Sequence, residues 1–350
     1  MSAAIVGRGD AVPAEMDQHA LWEDFFRHHY GGSRVAGMIW RRAGVDTRHA
    51  VADPREEDVS GWSTGARMRR FVAEALPLGK EALGACLDDA GLAPDDVDQL
   101  TVVSCTGYAT PGLDILLARD LGLSERTQRL HVGHMGCYAA LPGLATATDA
   151  ATARGLVTLL LCVELTSLHI QPPTDDTEQM VAHALFSDAA AAVAVAPAGP
   201  GGRPRGLEVV DLVARTDTAR AGMMSWDVTD LGFRMGLSPR VPTVLAGHVA
   251  EVVGELLSRH GVAVDGVAGW AIHPGGPRIV DEIAERLELG EGQIADSRGV
   301  LRSHGNCSSA TLLLILDRIS GRGELRPGDH VVAMAFGPGL TLYAALLRAR

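Results

Sequence analysis

From Arg69 onward the apolar residues Phe71, Ala75, Leu78, Ala82, Leu83, Cys86 and Leu87 recur every three or four positions and end at Ala90-Gly91. That spacing predicts one amphipathic helix with a glycine stop. VDQLTVVSCTG then reads as a strand closed by a glycine turn, and RLHVGHMGC as a strand passing through Gly136 into a small-residue helix from Tyr138 to Ala153. LVTLLLCVELT and AAAAVAVA are apolar without alternation, the pattern of strands covered on both faces. Past PAGPGGRP (Pro197 to Pro204) the same grammar restarts: strand GLEVVDLVAR, a helix from Pro242 to His260, strand GVAGWAIH, helices opening at Pro277 and Ser308, and final strands HVVAMAF and LTLYAALL. Alternation of this kind predicts an α/β fold. The first 60 residues follow no such rhythm, apart from a helix around Leu21 to Tyr30, and read as a peripheral cap.

The two parts mirror each other. In residues 1–200 a helix ending in DDAGL precedes LTVVSCTG, and a turn carrying Cys137 opens a helix. In residues 201–350 a helix ending in LLSRHG precedes GVAGWAIH, and a turn carrying Asn306 opens SSATLLLIL. A duplicated fold with two halves related by a pseudo-twofold axis would face these helix starts toward one another. Cys137, His273 and Asn306 would then share one cleft.

Composition narrows the function. A chain of 350 residues with 47% hydrophobic and 21% charged content is an ordinary globular protein with ample core. Its 31 basic against 43 acidic residues, a net charge of -12, argue against a nucleic-acid surface but leave room for a local basic mouth. The N-terminus lacks an apolar leader and no segment offers about 18 uncharged apolar residues, so a cytoplasmic protein without a membrane span is expected. The cysteines Cys86, Cys105, Cys137, Cys162 and Cys307 include no C-x-x-C pair and read as free thiols, one of them available as a nucleophile.

Cys137 is the first candidate, because a thiol at a helix N-terminus sits in the positive end of the macrodipole, which lowers its pKa. The bland alternative is a buried structural cysteine. His273 ends a strand and precedes Pro274-Gly275-Gly276, where backbone can approach a ligand closely; its imidazole could pair with a thiolate and donate to a thioester oxygen, or be a satisfied structural group. Asn306 could add a second donor or simply cap the helix after it. Thioester condensation needs this set: a thiolate to hold an acyl group and two donors for the enolate formed on decarboxylation.

At this point GHMGCYAALPGLA, IHPGGPRIVDE, SHGNCSSATLLLILD and AFGPGLTLYAALL together resemble the signature segments of the type III polyketide synthases, the chalcone-synthase-like branch of the thiolase superfamily. The resemblance runs in the family's order from about Gly37 to the C-terminus. It implies a thiolase-like duplicated αβαβα layered fold, a homodimer, and no metal or cofactor beyond coenzyme A thioesters as substrates. An acyl-CoA starter would load onto Cys137, and malonyl-CoA or a substituted malonyl-CoA would be decarboxylated beside His273 and Asn306 in repeated extensions ending in cyclisation or release. It further places Phe186 and Phe233 at the junction of CoA tunnel and cavity, Cys105 and Thr110 near the pocket on a loop whose tip enters the partner subunit, and Gly275, Gly276, Gly337, Pro338 and Gly339 in substrate-binding backbone. Arg42 would meet the CoA phosphates, with Arg41 and Arg48 as weaker neighbours.

The sequence departs from plant members at Thr110, at Tyr138 directly after the candidate nucleophile, at Pro142, and at Leu342-Tyr343. Starter and product are therefore open. A ketoacyl-ACP synthase III type enzyme shares the Cys, His, Asn chemistry but takes a carrier protein. A papain-type Cys, His, Asn hydrolase fits the glycine motifs poorly. A noncatalytic zinc module using His131, His134 and Cys137 has superficially suitable spacing.

Overall fold

The structure is a computed structural model that describes residues 2–198 and 206–350. The expected boundary between halves, at 200 and 201, lies outside the described residues. In chain order the strands are β1 (Ser2–Ala11), β2 (Glu15–Asp17), β3 (Thr47–His49), β4 (Gln99–Ser104), β5 (Gln128–Gly133), β6 (Thr158–Leu165), β7 (Asp188–Ala198), β8 (Leu207–Thr216), β9 (Met224–Thr229), β10 (Gly232–Leu237), β11 (Val267–Ile272), β12 (His330–Gly337) and β13 (Thr341–Ala349). Nine of them form one sheet in the order β11-β12-β13-β8-β1-β7-β6-β4-β5.

That order exposes the duplication. At its centre β1 and β8 pair antiparallel, Ala3 with Val209 and Ile5 with Leu207. Outward from β1 come β7 and β6, antiparallel, then β4, parallel. Outward from β8 come β13 and β12, antiparallel, then β11, parallel. The helices Ala140–Arg154 and Ala310–Gly321 share a central core with Ala191 and Val193 of β7 and Ala333 and Ala335 of β12. The helix Thr64–Ala90 covers the outer face of the first half, and Val241–Ser258 with Pro277–Leu287 covers that of the second. This is the thiolase-like layering of helix, sheet, helix, sheet, helix. Val241–Ser258 has the length and apolarity of a bilayer span, yet its Leu245, Val249, Val253 and Leu256 are buried in the outer core.

The N-terminal segment is where the pattern misled. Residues 2–11 are not part of a cap; they form β1, a central strand. Its hydrophobic signal is masked by Gly7 and Gly9, and both glycines are demanded by the helix lying on them. A Cβ at Gly7 would come within 2.4 Å of the Ala90 Cβ, and one at Gly9 within 2.4 Å of the Cys86 backbone nitrogen. Such overlap cannot be relieved without moving a core helix. The helix expected near Leu21 is present, running through Gln18–Leu21, Trp22–Phe26 and Arg27–His29. Several elements escaped the pattern, among them the helices Arg34–Arg41, Leu113–Leu121 and Thr177–Leu185, the β9–β10 hairpin, and the helix Glu291–His304, whose mean composition is polar.

Candidate active site

After β5 the chain turns sharply, with His134 at φ 61° and Gly136 at φ 76°, into a single 3₁₀ turn, Gly136–Tyr138, that feeds the helix Ala140–Arg154. Glycine is required at 136 both for its left-handed backbone and because a Cβ would sit 2.8 Å from Pro338 Cδ. Cys137 is half-buried at this turn. His273 follows β11, its N–H donating to Met334 O of β12 at 2.9 Å. Asn306 is tied to the segment after the helix Thr177–Leu185: its N–H donates to Leu185 O at 2.8 Å and its carbonyl accepts from Ser187 N at 3.0 Å. The pseudo-twofold fold thus delivers three turns to one place. Cys137, His273 and Asn306 line a single pocket of about 20 Å³, closed by apolar groups including Phe186, Met235 and Phe336.

The polar atoms of this pocket are poised for a ligand. Both ring nitrogens of His273 are buried without a hydrogen-bond partner among the described residues, and an unmade buried bond costs about 1–3 kcal/mol. The side-chain oxygen of Asn306 accepts from Ser308 N at 2.9 Å, which satisfies the local capping role and leaves the amide NH₂ as the outward donor. Capping the local turn and presenting an outward donor are therefore compatible in one side chain.

The expected lowering of the Cys137 pKa does not survive. Burial pushes the thiol up to about 12, with the Glu164 carboxyl adding to the rise and the Ser308 hydroxyl opposing it. A helix N-terminus is worth about 0.3–1 kcal/mol, and desolvating an ion several kcal/mol, so burial wins. Burial likewise holds His273 down at about 3. Both groups are therefore neutral in this pocket, and the Ser308 hydroxyl lies beside the thiol.

His169 and His183, also fully buried, are held down at about 3 by burial. A histidine whose folded pKa lies below its unfolded value of 6.5 stabilises the fold above 6.5, and that contribution is lost as pH falls from 6.5 toward 3. Each such group contributes about 1.4 kcal/mol per pH unit within the window. The urea midpoint is expected to fall steeply between about pH 6.5 and about pH 5; a flat midpoint over that interval would contradict three buried neutral imidazoles.

The remaining expected residues divide. Cys105 lines a second small pocket with Cys137, its sulfur 3.4 Å from Ser308 Oγ. Phe186 borders this pocket, the Cys137–His273–Asn306 pocket and an inner cavity of about 40 Å³. Phe233 does not reach Cys137. It stacks on His169, centroids 4.5 Å apart, facing only the inner cavity, while Met235, two residues along the same strand face, takes the place beside Cys137. Arg42 lies exposed in a cleft of about 480 Å³ that also holds Gly275, Gly276 and Arg278 and shares Leu185, Leu237, Gly275 and Ile279 with the pocket.

Arg41 is exposed and outside that cleft. Arg48 is fully buried, its guanidinium donating to Gln18 Oε1 at 2.8 Å, His183 O at 2.7 Å, Ala184 O at 2.6 Å and Phe186 O at 2.9 Å. It supports the Phe186 backbone and has no face left for a phosphate. Thr110 is exposed and borders none of these cavities, its hydroxyl 3.2 Å from that of Tyr108. Pro338 lines the Cys105 pocket, whereas Gly337 and Gly339 shape the turn behind it. His131 and His134 do not gather with Cys137: among the described residues no three His, Cys, Asp or Glu side chains converge as a metal set.

One residue went unnoticed in the sequence. Glu164, fully buried in β6, accepts from Cys105 N at 3.0 Å, Thr106 Oγ1 at 2.8 Å and Ser309 Oγ at 2.5 Å, locking the Cys105 turn to the start of the helix Ala310–Gly321. A lone carboxylate inside the apolar run LLLCVEL was the available signal.

Residues 38–200 match the family described as chalcone and stilbene synthases, N-terminal domain, and residues 211–350 match its C-terminal domain. A 3,5-dihydroxyphenylacetyl-CoA synthase of Streptomyces toyocaensis is 33% identical over 326 residues, 90% of this chain and 83% of that protein. A 1,3,6,8-tetrahydroxynaphthalene synthase of Streptomyces peucetius subsp. caesius is 36% identical over 313 residues, 87% and 81%. Among solved structures, the 1,3,6,8-tetrahydroxynaphthalene synthase of Streptomyces coelicolor A3(2), a bacterial type III polyketide synthase, superposes with a TM-score of 0.93 at 26% identity over 99% of both chains.

Proposed function

The chain belongs to the chalcone and stilbene synthase family and is a type III polyketide synthase; from that premise we propose that Cys137 holds the acyl group while His273 and Asn306 stabilise the enolate of malonyl-CoA. The observation that carries this is the convergence of the three side chains, with two unpaired imidazole nitrogens and one free amide, at the inner end of a cleft bearing Arg42. CoA thioesters enter along that cleft. Cys137 Sγ attacks the starter carbonyl, the new carbon–sulfur bond replaces that to CoA, and the thiol proton passes through His273 to the departing CoA sulfur.

In the extension step the bond from the malonyl carboxylate to the α-carbon breaks, carbon dioxide leaves, and the electron pair enters the thioester as an enolate. Its oxygen accepts from the His273 N–H and the Asn306 NH₂. The enolate carbon then attacks the Cys137 thioester, forming the carbon–carbon bond and freeing the thiolate. Neutral donors suffice in an apolar pocket, because a hydrogen bond to an oxyanion strengthens as water is excluded. No metal or prosthetic group enters this scheme. We further propose that the enzyme acts as a cytoplasmic homodimer, the exposed Thr110 lying on the loop that would meet the partner.

Mass spectrometry of products from malonyl-CoA with a panel of acyl-CoA starters tests the reading. Polyketide masses built from two-carbon units are expected; strict dependence on malonyl-ACP would favour the carrier-protein class instead, and no condensation product with any starter would dismiss the reading.

A further inference from the structure

Tyr138 and Tyr343 are distant in sequence and meet in the fold. Their rings stack nearly parallel, 7° apart with centroids at 5.4 Å. Tyr138 is buried, and its ring lies so close over Gly337 that a Cβ there would stand 2.6 Å from Cδ1. On the other side of Cys137, Gly136 is backed by Pro338. One segment, residues 337 to 343, therefore grips both neighbours of Cys137. Its anchor is β13, held between β12 and β8.

The turn needs such a grip. It is a single 3₁₀ turn entered through two left-handed residues, with no side-chain cap, and a backbone of that kind keeps its conformation only when its surroundings over-determine it. We propose that Tyr343, acting through its stack on Tyr138, is a positioning residue that holds the Cys137 sulfur in line with the incoming thioester carbonyl. This rests on Cys137 as the acyl-holding thiol. Tyr343 is only partly buried and lines none of the cavities around Cys137, so its effect is exerted on the geometry of the turn.

The test compares Tyr343→Phe, which keeps the ring, with Tyr343→Leu and Tyr343→Met, which fill the space without one, reading acyl loading by rapid quench and intact-protein mass across acyl-CoA concentrations. Loss of the ring is expected to slow the loading kcat about ten-fold with KM held within about two-fold, because a slightly misplaced nucleophile loses rate before affinity. Phe is expected to load at the wild-type rate. The proposal is overturned if the ringless variants load at the wild-type kcat whatever their melting temperature, if KM changes instead, if Phe fails as Leu does, or if only Phe folds, since the stack is then packing alone. An acyl adduct that persists in Cys137→Ala strikes the underlying reading of the nucleophile instead.

Discussion

Cys137→Ala is expected to abolish the acyl adduct that forms on the wild-type chain with an acyl-CoA, lowering condensation by about four orders of magnitude or more, as removal of a covalent nucleophile does elsewhere. Among the described residues Cys105 is the only other thiol facing the same space, and it is a poor substitute. Burial raises its pKa well above the ordinary thiol value, and the adjacent Glu164 carboxyl raises it further. Its sulfur is also within 3.5 Å of that carboxyl, which competes for the same proton environment. Carbon dioxide release from malonyl-CoA should persist in Cys137→Ala, because His273 and Asn306 remain. Intact-protein mass and carbon dioxide release measured on one preparation separate loss of the nucleophile from collapse of the pocket. An unchanged adduct would refute the assignment.

The second large effect falls on the donors. Asn306→Asp keeps an oxygen to accept from Ser308 N and so preserves the local turn, but replaces the outward NH₂ with an acceptor that repels an enolate oxygen. His273→Ala removes the other donor from a site where nothing else supports either ring nitrogen. Each is expected to slow malonyl-CoA decarboxylation about 10²–10³-fold, the cost of losing one oxyanion donor. Starter loading should suffer less, and less for Asn306 than for His273, which in the proposed scheme also receives the thiol proton. The comparison is made by carbon dioxide release against acyl-adduct formation with Cys137 intact. Wild-type decarboxylation in both variants would remove them from the mechanism.

Much of this enzyme can be read along the chain. The strands β4, β6, β7, β8, β11, β12 and β13 and the helix Thr64–Ala90 announce themselves by local periodicity, since burial on one or two faces imposes period two or 3.6 whatever the partner is. Cys137, His273 and Asn306 are legible because each sits at a glycine-marked turn, where chemistry and backbone constraint coincide within a few residues. Even the duplication is visible, as a repeated order of elements.

What only the tertiary structure decided depends on groups brought in from elsewhere in the chain. β1 hides its central place because a helix from residues 64–90 requires glycine where a strand would show apolar side chains. Met235 rather than Phe233 meets Cys137 because hairpin register sets which of two same-face residues reaches the pocket. Arg48 becomes a backbone clamp because residues 18 and 183–186 surround its guanidinium. The thiol of Cys137 is raised rather than lowered because water is excluded by Phe186, Met224 and Phe336, residues from three other segments. Periodicity and turn chemistry are local and survive in a linear string; desolvation, register and close approach are properties of the packed whole, and they set the protonation state of Cys137 and what packs around its turn.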